Sequence, residues 1–319
     1  MAEVTVPEQF RPATGAPAYP PHQRGPLIEA QFHAFYLRHR DQFPPTPVYL
    51  PVFWTSYYAS HDFARRPLRQ LQEFLDGALA RDTTYFTIVQ HADGIINYLR
   101  PGQVIAFAAG GAGDIPIPLL CDPHPVIDAP RDVFASFIGM PTHPCRRRLR
   151  ALADRDARFV IRDTDDIART QPDFVELMRR SVFALCPRGH GKTSFRLYEA
   201  LQLGAIPVYL FDELWLPYMD ELNWRRLAVL AHVDEIPALP EILDAISTEA
   251  ITAMRGAIRD ALDRYFTFDA CARWILRTVQ AIGRGEMQRE VVGRSPHEVH
   301  FRARWADATL GHLRRLDRS

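Results

Sequence analysis

Residues 186–212, CPRGHGKTSFRLYEALQLGAIPVYLFD, constrain the fold more tightly than any other stretch of the chain. The letters read as a strand, a Gly-containing loop, a helix and a second strand. Such βαβ units lay parallel strands in a sheet covered on both faces. The loop carries Gly189 and Gly191 and opens a helix at Ser194. Free backbone N–H groups and the helix dipole make that point an anion site. Arg188, Lys192 and Arg196 add positive charge, and Arg grips a phosphate through two parallel hydrogen bonds. Ser194 or Thr193 caps the helix. Glu199, one turn inside, is placed to accept two hydroxyl hydrogen bonds from a ribose. The expected ligand is a nucleoside-diphosphate compound. A plain surface ion pair is the competing reading of Arg196 and Glu199, which stand three apart on the helix.

The same alternation runs through the rest of the chain. Strands are expected at 48–54, 85–90, 104–109, 133–139, 158–161, 182–186, 206–211 and 226–231. Helices are expected at 63–80, 145–153, 166–180, 194–203, 235–247, 249–264 and 270–283. The stretch 115–125 holds too much Pro for a central strand and reads as an edge or loop. A length of 319 residues suits two domains. The expected division is an extended, Pro-rich N-terminal arm over 1–26, a first α/β domain over 27–131 and a second over 132–285. A connector and C-terminal helix follow over 286–319. The segment 296–315 is basic and amphipathic, and is expected to pack back on the first domain or to lie on a membrane surface.

Charge and cysteine narrow the function class. Lys+Arg 38 balances Asp+Glu 38, so a general nucleic-acid coat, which needs a positive excess, is not expected. No run of about 18 apolar residues is present, so no membrane-spanning helix is expected, and no secretory leader is visible. The four Cys form no C-x-x-C, which fits a reducing cytoplasm. The P-loop pattern G-x-x-x-x-G-K-[ST] nearly fits residues 186–193, with Cys186 in place of the first Gly and the chain's sole lysine, Lys192, at the P-loop position. A P-loop-like NTPase or kinase is therefore an alternative. Asp163-Thr164-Asp165 imitates a metal-binding D-x-D, although Asp165 and Asp166 also suit helix caps. Cys121, His124, His143 and Cys145 include zinc-ligand types at irregular spacing. No metal site is expected from either set. Arg146-Arg147-Arg148 opens a helix and reads as a solvated face, with contact to an anionic acceptor or lipid as the alternative.

The central segment resembles the exostosin-like glycosyltransferases, glycosyltransferase family 47. The resemblance rests on Cys186, Pro187-Arg188-Gly189, Ser194-Phe195-Arg196, Glu199-Ala200, Gly204, Ile206-Pro207-Val208, Asp212 and Leu216-Pro217. It continues through ELNWRRLAVLAHVDEIPALPEIL (221–243), and more loosely upstream through TIVQHADG (87–94), GDIPIPLL (113–120) and 133–152. The resemblance implies a GT-B fold, two Rossmann-like domains facing a cleft, with the nucleotide-sugar donor on the C-terminal one. It implies that Arg188 and Arg196 meet the diphosphate, that Ser194 supports it and that Glu199 binds the ribose. An inverting transfer wants a base near the acceptor hydroxyl. His91, Asp93 and Asp114 are the candidates, and each also reads as a turn or capping residue. The expected donor is UDP-linked, with no cofactor beyond it, and the acceptor is a glycan or glycolipid of surface polysaccharide synthesis. The family's N-terminal membrane anchor is not seen, so the expected location is cytoplasmic, with a peripheral contact at the inner membrane face. A catalytically silent nucleotide- or glycan-binding protein of the same fold is the further alternative.

Overall fold

The computed structural model describes residues 3–12, 27–124, 130–165, 167–291 and 299–303. The first half is built on β1 (Val48–Tyr49), β2 (Tyr85–Val89), β3 (Val104–Ala108) and β4 (Ile115–Pro116), all parallel and adjacent in chain order. Every residue of β2 and β3 is buried, as a parallel sheet covered on both faces requires. Alternate side chains serve alternate faces. Phe86, Ile88, Ile105 and Phe107 point to helix α1 (Ile28–His39), where Phe32, Phe35 and Tyr36 meet them. Tyr85, Val89, Val104 and Ala108 face α2 (Trp54–Ala59) and α3 (Arg69–Ala78) through Trp54, Tyr58, Leu71 and Leu75.

The second half contains β5 (Val133–Gly139), α4 (Pro144–Arg155), β6 (Phe159–Asp163), α5 (Ile167–Arg180), β7 (Ser181–Pro187), α6 (Phe195–Gln202), β8 (Ile206–Phe211) and β9 (Val229–His232). The strand order is β6-β5-β7-β8-β9, all parallel. From β5 the chain runs outward to β6, then returns to β7 on the other side. Ligands of open α/β sheets bind at such a reversal, beyond the carboxyl ends of the two strands. Here those ends are Gly139 and Pro187. The first sheet has no reversal, so topology alone assigns the ligand crevice to the second half. Helices α7 (Leu239–Asp244), α8 (Thr248–Tyr265) and α9 (Phe268–Gly283) complete this half. Ser194, Ser247 and Thr267 cap α6, α8 and α9 with their hydroxyls.

Several sequence expectations shift. Only Val48–Tyr49 of the expected strand 48–54 pairs as strand, because Pro51 breaks the run and Trp54 starts α2. The helix expected at 63–80 begins at Arg69. Asp62 and Phe63 hold left-handed backbone with φ of 53° and 50°, and Pro67 follows. Helix α1 had no counterpart in the sequence reading. A strand, β11 (Val299–Ala303), pairs antiparallel with β10 (Met287–Val291) where a helix was expected. Residues 296–298 and 304–315 of that expected segment, and 13–26 of the expected arm, lie outside the described residues. Among the described residues, α9 returns onto the first half. Gln280 Nε2 donates to the Gln42 carbonyl at 2.9 Å, and Phe107 and Trp274 rings meet at 6.4 Å.

Candidate functional site

The turn between β7 and α6 stands at the β5/β7 reversal, with its charges ordered by neighbouring elements. Arg188 Nη1 donates to both Asp212 carboxylate oxygens at 2.7 and 2.8 Å, and its Nε donates to the Gly191 carbonyl at 3.2 Å. Burial pushes the Asp212 carboxyl up, but the Arg188 hydrogen bond and charge outweigh it and hold it below the usual carboxylate value. Lys192 Nζ pairs with Glu213 at 2.6 Å and lies 5.6 Å from the Trp215 ring centre. The lysine is thus directed away from the turn, whereas a P-loop lysine reaches into its cradle. Asp212 is thus held by Arg188.

Arg196 and Glu199 form an ion pair, as spacing allowed, but a buried one: they are 5% and 1% exposed. Arg196 Nε and Nη2 both donate to the Ile138 carbonyl at 3.2 Å, and the guanidinium lies over the Phe174 ring at 3.6 Å. The surface-pair reading is therefore wrong. Arg196 pins the end of β5 to α6. Ser194 Oγ is the N-cap acceptor for the Arg196 amide at 3.3 Å. On the other side of Glu199, His124 Nε2 lies 3.7 Å from its Oε1. Cys121 Sγ accepts from Gln202 Nε2 at 3.3 Å.

Among the described residues, Cys121, His124 and Glu199 are the one group that brings three metal-ligand atoms together, all within 4.8 Å of one another. A metal would need the Cys121 thiolate, and burial, then the Glu199 charge, push that thiol well above its usual range. Arg196 already holds the second Glu199 oxygen. The donor set, a protonated thiol and a histidine beside a carboxylate that Arg196 already pairs, fits a buried hydrogen-bonded cluster better than a metal. The four zinc-type residues separate: His143 Nδ1 bonds Cys145 Sγ at 3.1 Å beside Asp212, away from the Cys121 group. Asp163 pairs with Arg150, and Asp165 is exposed.

Arg146 is the largest correction. Arg147 and Arg148 are exposed, but Arg146 is 8% exposed. Its Nε donates to Arg188 O at 2.9 Å, Nη1 to Met140 O at 3.0 Å and Nη2 to Pro187 O at 3.3 Å. The signal was present in sequence: Arg146 lies three residues before Leu149 on the stripe that α4 buries with Cys145 and Leu152.

The three base candidates fall into two places. His91 is buried just beyond the end of β2, with its Nδ1 accepting the Asp93 amide at 3.3 Å. A neutral ring with that acceptor carries its proton on Nε2. Burial lowers the His91 pKa, the Asp93 charge raises it and His190 lowers it, so His190, exposed on the β7–α6 turn, is near the pair. Asp93 is exposed. Asp114 lies elsewhere: its Oδ2 accepts the Ala106 amide at 2.8 Å, and its own amide donates to Ala106 O at 2.9 Å. It closes the β3–β4 ladder halfway along β3, short of the cleft end. The two halves touch backbone to backbone at the turn. A Cβ on Gly191 would overlap the Gly110 carbonyl oxygen, and one on Gly111, whose φ is +119°, would overlap the Lys192 amide. The GGAGD turn had no such role in the sequence reading.

Residues 109–246 match the Exostosin GT47 domain. The matched, exostosin-like segment runs from the Gly110 turn to α7 and holds every residue of the β7–α6 turn. The chain is 33% identical over 140 residues to the probable glucuronosyltransferase GUT1 of Oryza sativa subsp. japonica, covering 42% of this chain and 34% of that one. It is 33% identical over 131 residues to the probable beta-1,4-xylosyltransferase IRX10 of Arabidopsis thaliana, covering 39% and 32%. It is 36% identical over 104 residues to Exostosin-1 of Drosophila melanogaster, covering 33% and 14%. The chain thus spans about a third or less of the length of these relatives. Among solved structures, TarM aligns with a TM-score of 0.40 and 8% identity, over 62% of this chain and 51% of that one.

Proposed function

We propose that this protein is an inverting glycosyltransferase that moves a sugar from a nucleoside-diphosphate sugar, UDP-linked, to a hydroxyl of a glycan or glycolipid in surface polysaccharide synthesis. The observation that carries the reading is the exostosin-like β7–α6 turn standing at the sheet's topological reversal. Loop amides, Ser194 and Arg188 hold the diphosphate, and Glu199 holds the ribose once the nucleotide enters beside His124. Loss of the sugar leaves negative charge on the diphosphate, and fixed donors aimed there lower the barrier. Asp93 takes the proton of the attacking hydroxyl, and His91 holds the Asp93 turn by accepting its amide. Metal is not required, because arginines and helix-end amides supply the positive field. The enzyme works in the cytoplasm, with peripheral contact at the membrane.

A panel of nucleotide sugars scored for slow donor hydrolysis, with and without EDTA, tests this. Arg188→Ala weakens UDP binding by about 1.5–3 kcal/mol if it loses a charge-assisted hydrogen bond. Glu199→Gln weakens UDP but hardly changes pyrophosphate. Tight binding of ATP with magnesium, without any response to UDP, would overturn the reading.

A further inference from the structure

Resting on the donor-site reading above, we infer that Arg146 is a positioning residue of the diphosphate site. It fixes the Pro187–Gly189 turn through the turn's own carbonyls. It also lends the β5/β7 crevice a buried positive charge that forms no ion pair among the described residues; Asp163, the carboxylate whose charge acts on it, is paired with Arg150.

The cations around the turn divide unequally. Arg188 has Asp212, Lys192 has Glu213 and Arg196 has Glu199. Arg146, the fourth, makes its three hydrogen bonds to carbonyls and has no carboxylate within ion-pair distance among the described residues. A buried charge is costly unless it is paired. Burial and the nearby Arg196 charge push its pKa down to about 10, so it remains a cation at neutral pH. The crevice therefore holds one positive charge in excess at the point where topology puts a ligand.

The bonding geometry explains why an arginine stands there. Met140 ends the β5 side and Pro187 and Arg188 end the β7 side, and one planar guanidinium spans both. Those carbonyls turn toward Arg146, and the Gly189 amide of the same turn donates to the Thr193 carbonyl at 3.4 Å, so the loop is held from both sides. Gly189 lies directly above: a Cβ there would stand 3.1 Å from Arg146 Nη2 and 3.7 Å from Thr142 Oγ1. Thr142 Oγ1 is buried without a hydrogen-bond partner, a free hydroxyl at the lip of the same crevice. An anion of two phosphates satisfies the excess charge and the hydroxyl together.

The test uses the full chain, Arg146→Met and Arg146→Lys, with inorganic pyrophosphate as the binding probe and donor hydrolysis as the rate. Arg146→Met, which keeps length but not charge, binds pyrophosphate at least tenfold more weakly. Arg146→Lys keeps the charge but not the three-carbonyl grip, so it binds pyrophosphate within about threefold of wild type while kcat falls at least tenfold. Arg146→Met binding pyrophosphate like wild type, or Arg146→Lys keeping wild-type kcat, overturns the inference. If Arg146→Met does not fold, the kcat of Arg146→Lys decides alone. Failure of wild type itself to bind pyrophosphate or UDP marks failure of the donor-site reading instead.

Discussion

Asp93 and His91 sit two residues apart yet carry different burdens. The Asp93 carboxylate is exposed, while the His91 ring is buried and already accepts a backbone amide. Asp93→Asn should cost transfer about 10²–10⁴-fold, the usual worth of a positioned base. The histidine adds a pH signature. Burial holds its folded pKa below the ordinary 6.5. Its neutral ring therefore contributes stability fully above pH 6.5 and loses it as pH falls through the lowered folded value. Protonation also removes the acceptor from the Asp93 amide. Transfer rate measured against pH should fall below 6.5, and His91→Asn should flatten that limb. A limb unchanged in His91→Asn would separate the histidine from the reaction. The placement of Arg188, Ser194 and Glu199 on one turn and helix was legible from letters because spacing on a loop and helix fixes it. Arg146 was misread because a triplet of arginines does not say which one the helix turns inward; Leu149 and Leu152 did say so.

At the scale of elements, close backbone approach sets the limits. The β7–α6 turn and the Gly110–Gly111 turn come from different halves and touch with no side chains between them. Gly191→Ala must push the Gly110 carbonyl away. It should cost about 1–3 kcal/mol, as overpacking does, and should lower the rate further than Ala at exposed Asp165. Chemical denaturation and donor hydrolysis read the two effects. Helix α1 offers a second test. Glu29 is 1% exposed and accepts the amides of Thr55 and Gln90, each at 3.1 Å, tying α1 to α2 and to the end of β2. Burial raises its pKa above 4.5, against the hydrogen bonds from Thr55 and Gln90, which lower it. A raised folded pKa gives stability that is full below pH 4.5 and is lost as pH climbs through the folded value. Glu29→Gln keeps the acceptor without the charge. Its Tm should exceed wild type at pH 8 and match it near pH 4. Strands β2, β3, β5, β7 and β8 were readable because parallel strands buried over all or most of their length are largely apolar runs. Helix α1 was missed because its apolar stripe, Ile28, Phe32, Phe35 and Tyr36, is interrupted by the buried Glu29.

The whole molecule behaves as one core divided between two sheets. The larger apolar cluster runs from Phe32 and Phe107 in the first half to Ile206 and Val279 in the second. Trp215 reaches the other way: it packs with the second cluster, on the far face of the first sheet, and its Nε1 donates to Ala108 O at 3.3 Å. The seam is closed at its far end by α9, whose Gly283 leaves room for the Pro44–Thr46 turn. A Cβ on Gly283 would stand 2.6 Å from the Thr46 carbonyl oxygen and 3.0 Å from the Pro44 side chain. This contact was invisible to the sequence reading because it joins residues more than two hundred positions apart, neither of which carries a motif. With clusters interlocked in both directions, neither half exposes a complete surface of its own, so the described body should unfold in a single transition. Circular dichroism and tryptophan fluorescence, to which Trp54 in one half and Trp224 in the other both contribute, should give coincident curves. Gly283→Ala should move both midpoints down together, by about 1–3 kcal/mol in stability, because it wedges the halves apart and leaves the interior of each unaltered. Two separated transitions in wild type, or a shift confined to one probe in Gly283→Ala, would mean that the halves fold independently and that the seam is a docking contact.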